Sequence, residues 1–153
     1  MKKENHFLLI DFPAAIKHLK PNSPAQWGEM SAIQMLEHLR KGFELSLSTE
    51  RFEVKTPVEH LPKMKDFIQS DKPLRPLATK PYSYDTLPDL ALNFDDMKVE
   101  LMRSMVKMLA HFENEPSHRS IHPSFGELSV EEWMRLHTKH VEHHLRQFAL
   151  IEA

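Results

Sequence analysis

Cysteine is absent from this 153-residue chain, which excludes disulfides, thiolate metal ligands and a cysteine nucleophile of the protein's own. No basic block stands out either. Twenty Lys+Arg against 22 Asp+Glu leave a net charge of −2. Binding to a phosphate backbone normally requires a basic stripe, so a nucleic-acid partner is disfavoured. Long apolar runs are missing as well. Lys2 and Lys3 precede the run "FLLI", but it stops at Asp11, too short for the apolar core of a signal peptide. No run approaches membrane-spanning length. These absences lead to the expectation of a soluble cytoplasmic protein with neither a nucleic-acid nor a membrane partner. At 18.0 kDa it is expected to form a single domain over residues 1–153.

Glycine is scarce, with three residues, and the eleven prolines fall between stretches that read as helix. A first helix is expected from about Asp11 to Leu19, with Pro13 in its first turn. "SPAQWG" reads as one capped turn, with Ser23 as N-cap, Pro24 at the first position, Gln26 reaching back and Gly28 ending it. Ser31 and Gln34 form a capping box that opens a second helix running to about Leu47, with Leu36, Leu39, Phe43 and Leu47 on its apolar face. From Pro57 to Pro88 lies a long Pro-rich connection, expected to cross the surface apart from a short helix near Glu59 to Gln69. A third long helix spans about Asp95 to Phe112 on the stripe Met97, Leu101, Met105, Met108 and Phe112. A fourth begins at Ser129, with Glu132 closing a capping box and Leu128 and Trp133 as a hydrophobic staple. "HPSFG", His122 to Gly126, reads as the turn that positions this helix. Strand-like alternation is nearly absent. The expected fold is all-α: an antiparallel four-helix bundle with the Pro57–Pro88 segment as its long crossover.

The fourth helix carries His137, His140, His143 and His144 within eight residues. At roughly 100° per residue, Trp133, His137, His140, His144 and Phe148 share an arc of about 80°. Val141 and Leu145 extend that arc, so three of the histidines point inward, while His143 lies at the border. A buried imidazole left without partners costs on the order of 1–3 kcal/mol. One inward histidine is an ordinary satisfied core residue. Three on one stripe are harder to satisfy by chance, and His140 and His144, at i and i+4, can turn two nitrogens towards one metal ion. On the second helix His38 lies on the stripe Met35, His38, Gly42 and Leu45, with Gly42 leaving space beside it. On spacing alone His38 is open between a ligand and a surface residue. His137 is open between a proton shuttle and core lining. Gln147 has the position to hydrogen-bond a ligand's far nitrogen. Glu37 and Glu142 neighbour these histidines in sequence but point away at helical spacing, towards a solvated face. Trp27 and Trp133 are expected to anchor bundle ends.

"WGEMSAIQMLEHL", Trp27 to Leu39, and "HPSFGELSVEEWMRLHTKHVEHHLRQF", His122 to Phe148, resemble the DinB/YfiT-like superfamily of metal-binding four-helix bundles. The likeness is carried by the two ends of the chain and not by the Pro57–Pro88 connection. It implies that one divalent metal is held by His38, from the "LEHL" motif, and by His140 and His144, from the last helix. The trailing "LRQF" sets that register and leaves His143 out. Three imidazoles leave coordination positions open, as in catalytic rather than closed structural sites, and would suit zinc, nickel or iron alike. The relatives implied by the resemblance include hydrolases and transferases or isomerases that use a low-molecular-weight thiol. In a chain without cysteine such a thiol must come from a cofactor. The leading expectation is therefore a metal-dependent enzyme acting on a small-molecule substrate. The alternatives are a non-catalytic bundle with a structural or sensory ion, and a bundle whose histidines bind no metal. Val99, Met102 and Val106 place apolar residues on a second helix face, and a homodimer is expected from this pattern and from the family likeness.

Overall fold

The computed structural model describes residues 2–76 and 93–152. Its N-terminal rod is longer than the sequence predicts. Lys3–His6 (α1), a π turn over Phe7–Asp11 and Phe12–Ile16 (α2) follow one another in helical backbone conformation. The expected helix, Asp11 to Leu19, thus starts eight residues late and ends three late. Its start was placed by Pro13, which a regular helix interior does not tolerate, because the ring crowds the carbonyl four residues back. Here the wide turn just ahead of Pro13, with the Phe12 N–H reaching back to the Phe7 carbonyl, provides that room. The rod and the residues after it bury Leu8, Phe12, Ala15, Ile16 and Leu19.

The capped turn expected at "SPAQWG" does not form. The Ser23 hydroxyl accepts the Lys20 N–H at 2.9 Å, and the Gln26 N–H donates to the Gln147 carbonyl at 2.7 Å instead of serving a local cap. The segment ends, as expected, at Gly28, whose φ of +74° lies in the left-handed region. The next helix, α3, matches its expectation: Ala32–Leu47, with a Ser31–Gln34 capping box. A 3-10 turn, Val58–His60, leads into α4, Leu61–Gln69, where a short helix was expected. The rest of the connection up to residue 76 does not simply cross the surface. The Ser70 and Lys72 carbonyls accept from the buried Lys139 ammonium, and the Leu74 carbonyl accepts from His143. The part of the expected crossover between residues 77 and 88 lies outside the described residues. The third long helix, α5, covers Phe94–Asn114; Asn93 caps it by accepting the Asp96 N–H at 2.8 Å, and its methionine, leucine and phenylalanine stripe is buried. The last helix, α6, is Val130–Gln147, opened by the Ser129–Glu132 box.

The purely helical expectation needs one correction. Arg119–His122 (β1) and Gly126–Ser129 (β2) pair as an antiparallel hairpin, with His122 opposite Gly126, and the "HPSFG" segment makes its turn. Strands of four residues are too short to show alternation above background. The turn is fastened locally: His122 Nδ1 accepts the Ser124 and Phe125 N–H groups at 2.9 and 3.3 Å.

The structure is mostly helical, and one core joins the elements. α3 packs on both α5 and α6, while α1, α2 and α4 pack on α6. The hairpin closes one end, β1 against α3 and β2 against α6. Ser46, fully buried near the end of α3, ties this end together. Its carbonyl accepts from His118 Nε2 at 2.8 Å and from the Ser120 hydroxyl at 2.7 Å, while its own hydroxyl donates to the Phe43 carbonyl. No described helix is long and apolar enough to cross a membrane.

Candidate metal centre

The contact of α3 with α6 brings His38 against the last helix. His38 Nε2 lies 2.8 Å from His140 Nε2, which in turn lies 3.2 Å from His144 Nε2. One nitrogen from each ring falls within 4.8 Å of the others. Three nitrogens bound at about 2.0–2.1 Å to one ion lie about 2.9–3.4 Å apart for tetrahedral or octahedral angles, close to the two separations from His140 Nε2. Helical periodicity accounts for the pair on α6, and the packing of α3 supplies the third ring. Among the described residues, no other group of three or more His, Asp or Glu side chains meets in this way.

A metal ligand must offer a lone pair, and two observations bear on that. Burial, reinforced by the other histidines, pushes His140 and His144 well below the ordinary imidazole pKa; burial first, then His143 and Lys41, brings His38 down to about 4. All three rings are therefore neutral at pH 7. For His144 a neighbouring amide selects the tautomer in this conformation. Its Nδ1 lies 2.7 Å from Gln147 Oε1, and the Gln147 amide nitrogen donates to the Trp27 carbonyl at 3.1 Å. Reversing the amide would set oxygen against oxygen at Trp27, so Oε1 faces His144 and Nδ1 carries the proton. The Nε2 lone pair is left facing the cluster, the arrangement that a supporting acceptor imposes on metal-bound histidine. The donor set therefore fits a divalent cation with affinity for imidazole.

The space beside Gly42 is taken by the ring of His140, whose Nδ1 would stand 3.5 Å from a Cβ at that position, an ordinary contact. His137 turns away from the trio. Its Nε2 donates to the Ser46 hydroxyl at 2.9 Å, and its ring stacks on Trp133 with centroids 5.3 Å apart, which makes it part of the core. His143, half-buried, donates from Nδ1 to the Leu74 carbonyl at 3.2 Å and packs its ring against His144.

One expectation about a neighbouring residue fails. Glu37 is not on a solvated face: it is 1% exposed and pairs with Arg40 through both carboxylate oxygens, at 2.6 and 2.8 Å. Helical spacing turns it away from the metal site, as expected, but the side it faces is covered. Trp27 does more than anchor an end. Its ring lies 5.5 Å from that of His143, so the indole flanks the histidine cluster. Its position depends on pairing with Gln147, 120 residues away, which no local signal announces.

Residues 9–150 match the family described as a protein of unknown function, DUF1569. The chain belongs to that family. No curated protein matches the sequence. In this DUF1569 protein the matched span includes all three converging histidines together with Trp27 and Gln147.

Proposed function

We propose that this protein is a metal-dependent enzyme acting on a small molecule, a hydrolase or a thiol-dependent transferase or isomerase. Its framework would be an antiparallel four-helix bundle of the DinB/YfiT type. The observation that carries this reading is the convergence of His38, His140 and His144 Nε2 with the proton of His144 held on the far nitrogen. Zinc, nickel or iron would suit three imidazoles. When bound, such an ion supplies Lewis acidity, lowering the pKa of water towards about 7 or holding an incoming thiol as thiolate. The chain's own residues hold and orient it: three histidines as ligands, Gln147 fixing one tautomer, Trp27 and His143 forming a wall beside it. With no fourth His, Asp or Glu in the cluster among the described residues, coordination positions remain for a substrate or a small thiol.

Elemental analysis of protein purified without a polyhistidine tag tests the first half of this reading, with one divalent ion per chain expected. Screening the loaded protein for ester or amide hydrolysis and for transfer from small thiols tests the second. One of these activities should appear, vanish with a chelator and return with the ion. No bound ion would overturn the metal reading. A loaded but inert protein with a fourth protein ligand in its X-ray absorption spectrum would establish instead the alternative, an ion that is structural or sensory.

We also propose a homodimer through α5, where Val99 and Val106 are each 52% exposed one heptad apart and Met102 packs half-buried between them. Sedimentation at micromolar concentration should give twice the 18.0 kDa chain mass, and a species of 18.0 kDa alone refutes it.

A further inference from the structure

Gln147 joins more than the ligand whose tautomer it selects. Its side-chain oxygen accepts from His144 Nδ1 at 2.7 Å, its side-chain nitrogen donates to the Trp27 carbonyl at 3.1 Å, and its backbone carbonyl accepts the Gln26 N–H at 2.7 Å. The bend at Gln26–Gly28, a turn in the chain though not the capped one, is thus fastened to the last residue of α6, three residues beyond a ligand. The fit is close, since a Cβ on Gly28 would stand 3.2 Å from Gln147 Nε2. The turn also carries Trp27, whose ring packs on His143, which packs on His144.

An amide has one donor end and one acceptor end, so it transmits orientation. With the His144 proton on Nδ1, Oε1 faces the ring and Nε2 faces the Trp27 carbonyl, and both neighbours are satisfied. With the proton on Nε2, Nδ1 requires a donor instead. The amide must then turn over and present its oxygen to the Trp27 carbonyl, and the turn loses its anchor. Tautomer, amide and turn therefore change together. A cation on Nε2 admits only the Nδ1–H tautomer.

We propose that Gln147 is a positioning residue that couples occupancy of the three-histidine site to the Gln26–Gly28 bend, so that metal binding fixes Trp27 as one wall of the site. This rests on the metal reading above. By reciprocity, a fastened turn also raises the affinity for the ion.

Zinc binding to the full chain, measured by competition with a chromophoric chelator, is combined with fluorine NMR of 5-fluorotryptophan-labelled protein. The Trp27 resonance is assigned with Trp27→Phe. In the parent protein zinc should move and sharpen that resonance. Gln147→Leu loses both ends of the amide; zinc affinity should fall about 10- to 100-fold, the range for a lost supporting partner, and the Trp27 resonance should no longer respond. Gln147→Glu separates the two ends. Its carboxylate still accepts from His144, so affinity should stay within about threefold of the parent or tighten, but it cannot donate to Trp27, so the response should be lost. A structural role alone would not divide the two readouts in this way. Gln147→Leu binding zinc like the parent, Gln147→Glu weakening as much as Gln147→Leu, or a Trp27 response persisting in Gln147→Glu would each overturn the coupling. A parent protein that binds no zinc would overturn the metal reading itself, which keeps the two failures distinct.

Discussion

Alanine at His140 or at His144 is expected to lower zinc affinity by more than about 100-fold, beyond the 10- to 100-fold typical of losing a supporting partner. Alanine at His38 should do the same, because its Nε2 is 2.8 Å from that of His140 and belongs to the same point of convergence. The measurements are chelator competition and thermal unfolding with and without zinc. An ion bound only by the folded state at a thousand times its dissociation constant adds about 4 kcal/mol to stability. That gain should disappear in all three variants. His143→Ala and His137→Ala are the controls. His143 points its Nδ1 at the Leu74 carbonyl, so its removal should leave zinc binding nearly intact. His137→Ala opens a hole between Trp133 and Phe43 and removes the donor to the Ser46 hydroxyl oxygen, so it should lower stability by about 2–4 kcal/mol while keeping the zinc-dependent gain. If His137→Ala removed the metal and His38→Ala did not, the assignment of ligands would be wrong and the site would belong to α6 alone.

What could be read from the sequence follows the range of the forces involved. The boxes at Ser31–Gln34 and Ser129–Glu132 were legible because a cap is chemistry between residues three apart, and both formed as predicted. The inward stripe of α6 was legible because helical periodicity decides which side chains share a face. His137 and His144 are buried on it, and His143 stands at its edge. His38 was a different case. Its spacing left it open, and the resemblance assigned it, because its role depends on how α3 lies against α6.

The failures are also specific. Pro13 was read as a start signal, whereas a π turn let the helix run through it from Lys3. Glu37 was judged by its angle on an isolated helix, but packing around α3 buried it while Arg40, one turn on, supplied its counter-charge. The hairpin went unread because four-residue strands show no alternation, and the placement of Trp27 depends on Gln147, 120 residues away. For Glu37 and Trp27, tertiary contact decided what no local rule could.

Acid sensitivity is the second large effect expected, and its sign follows from the buried rings outside the metal trio. Burial lowers His122 to a pKa of about 4, and burial with the nearby His122 lowers His137 to about 3. In the unfolded chain both return to the ordinary imidazole value of 6.5. Between these limits the unfolded chain holds protons that the folded chain refuses, so stability rises with pH through this window and is lost as pH falls. The contribution is complete above about 6.5 and declines by up to about 1.4 kcal/mol per pH unit for each ring until its folded pKa is reached. Carboxylates act lower. Hydrogen bonds from Arg51 and Arg119 hold Glu127 below the ordinary carboxyl value of 4.5, so what it contributes is lost only beneath that pH. Urea unfolding of chelator-treated protein from pH 7.5 to 4.5 should therefore show a midpoint that falls steadily from about pH 6.5, well before carboxylates titrate. His137→Gln removes one titrating ring and keeps a donor for the Ser46 hydroxyl. It should flatten that slope by up to about 1.4 kcal/mol per pH unit even as it lowers stability at pH 7. A parent midpoint that stays level between pH 7 and pH 5 would mean that these rings accept protons in place, and that the core beneath the hairpin admits water.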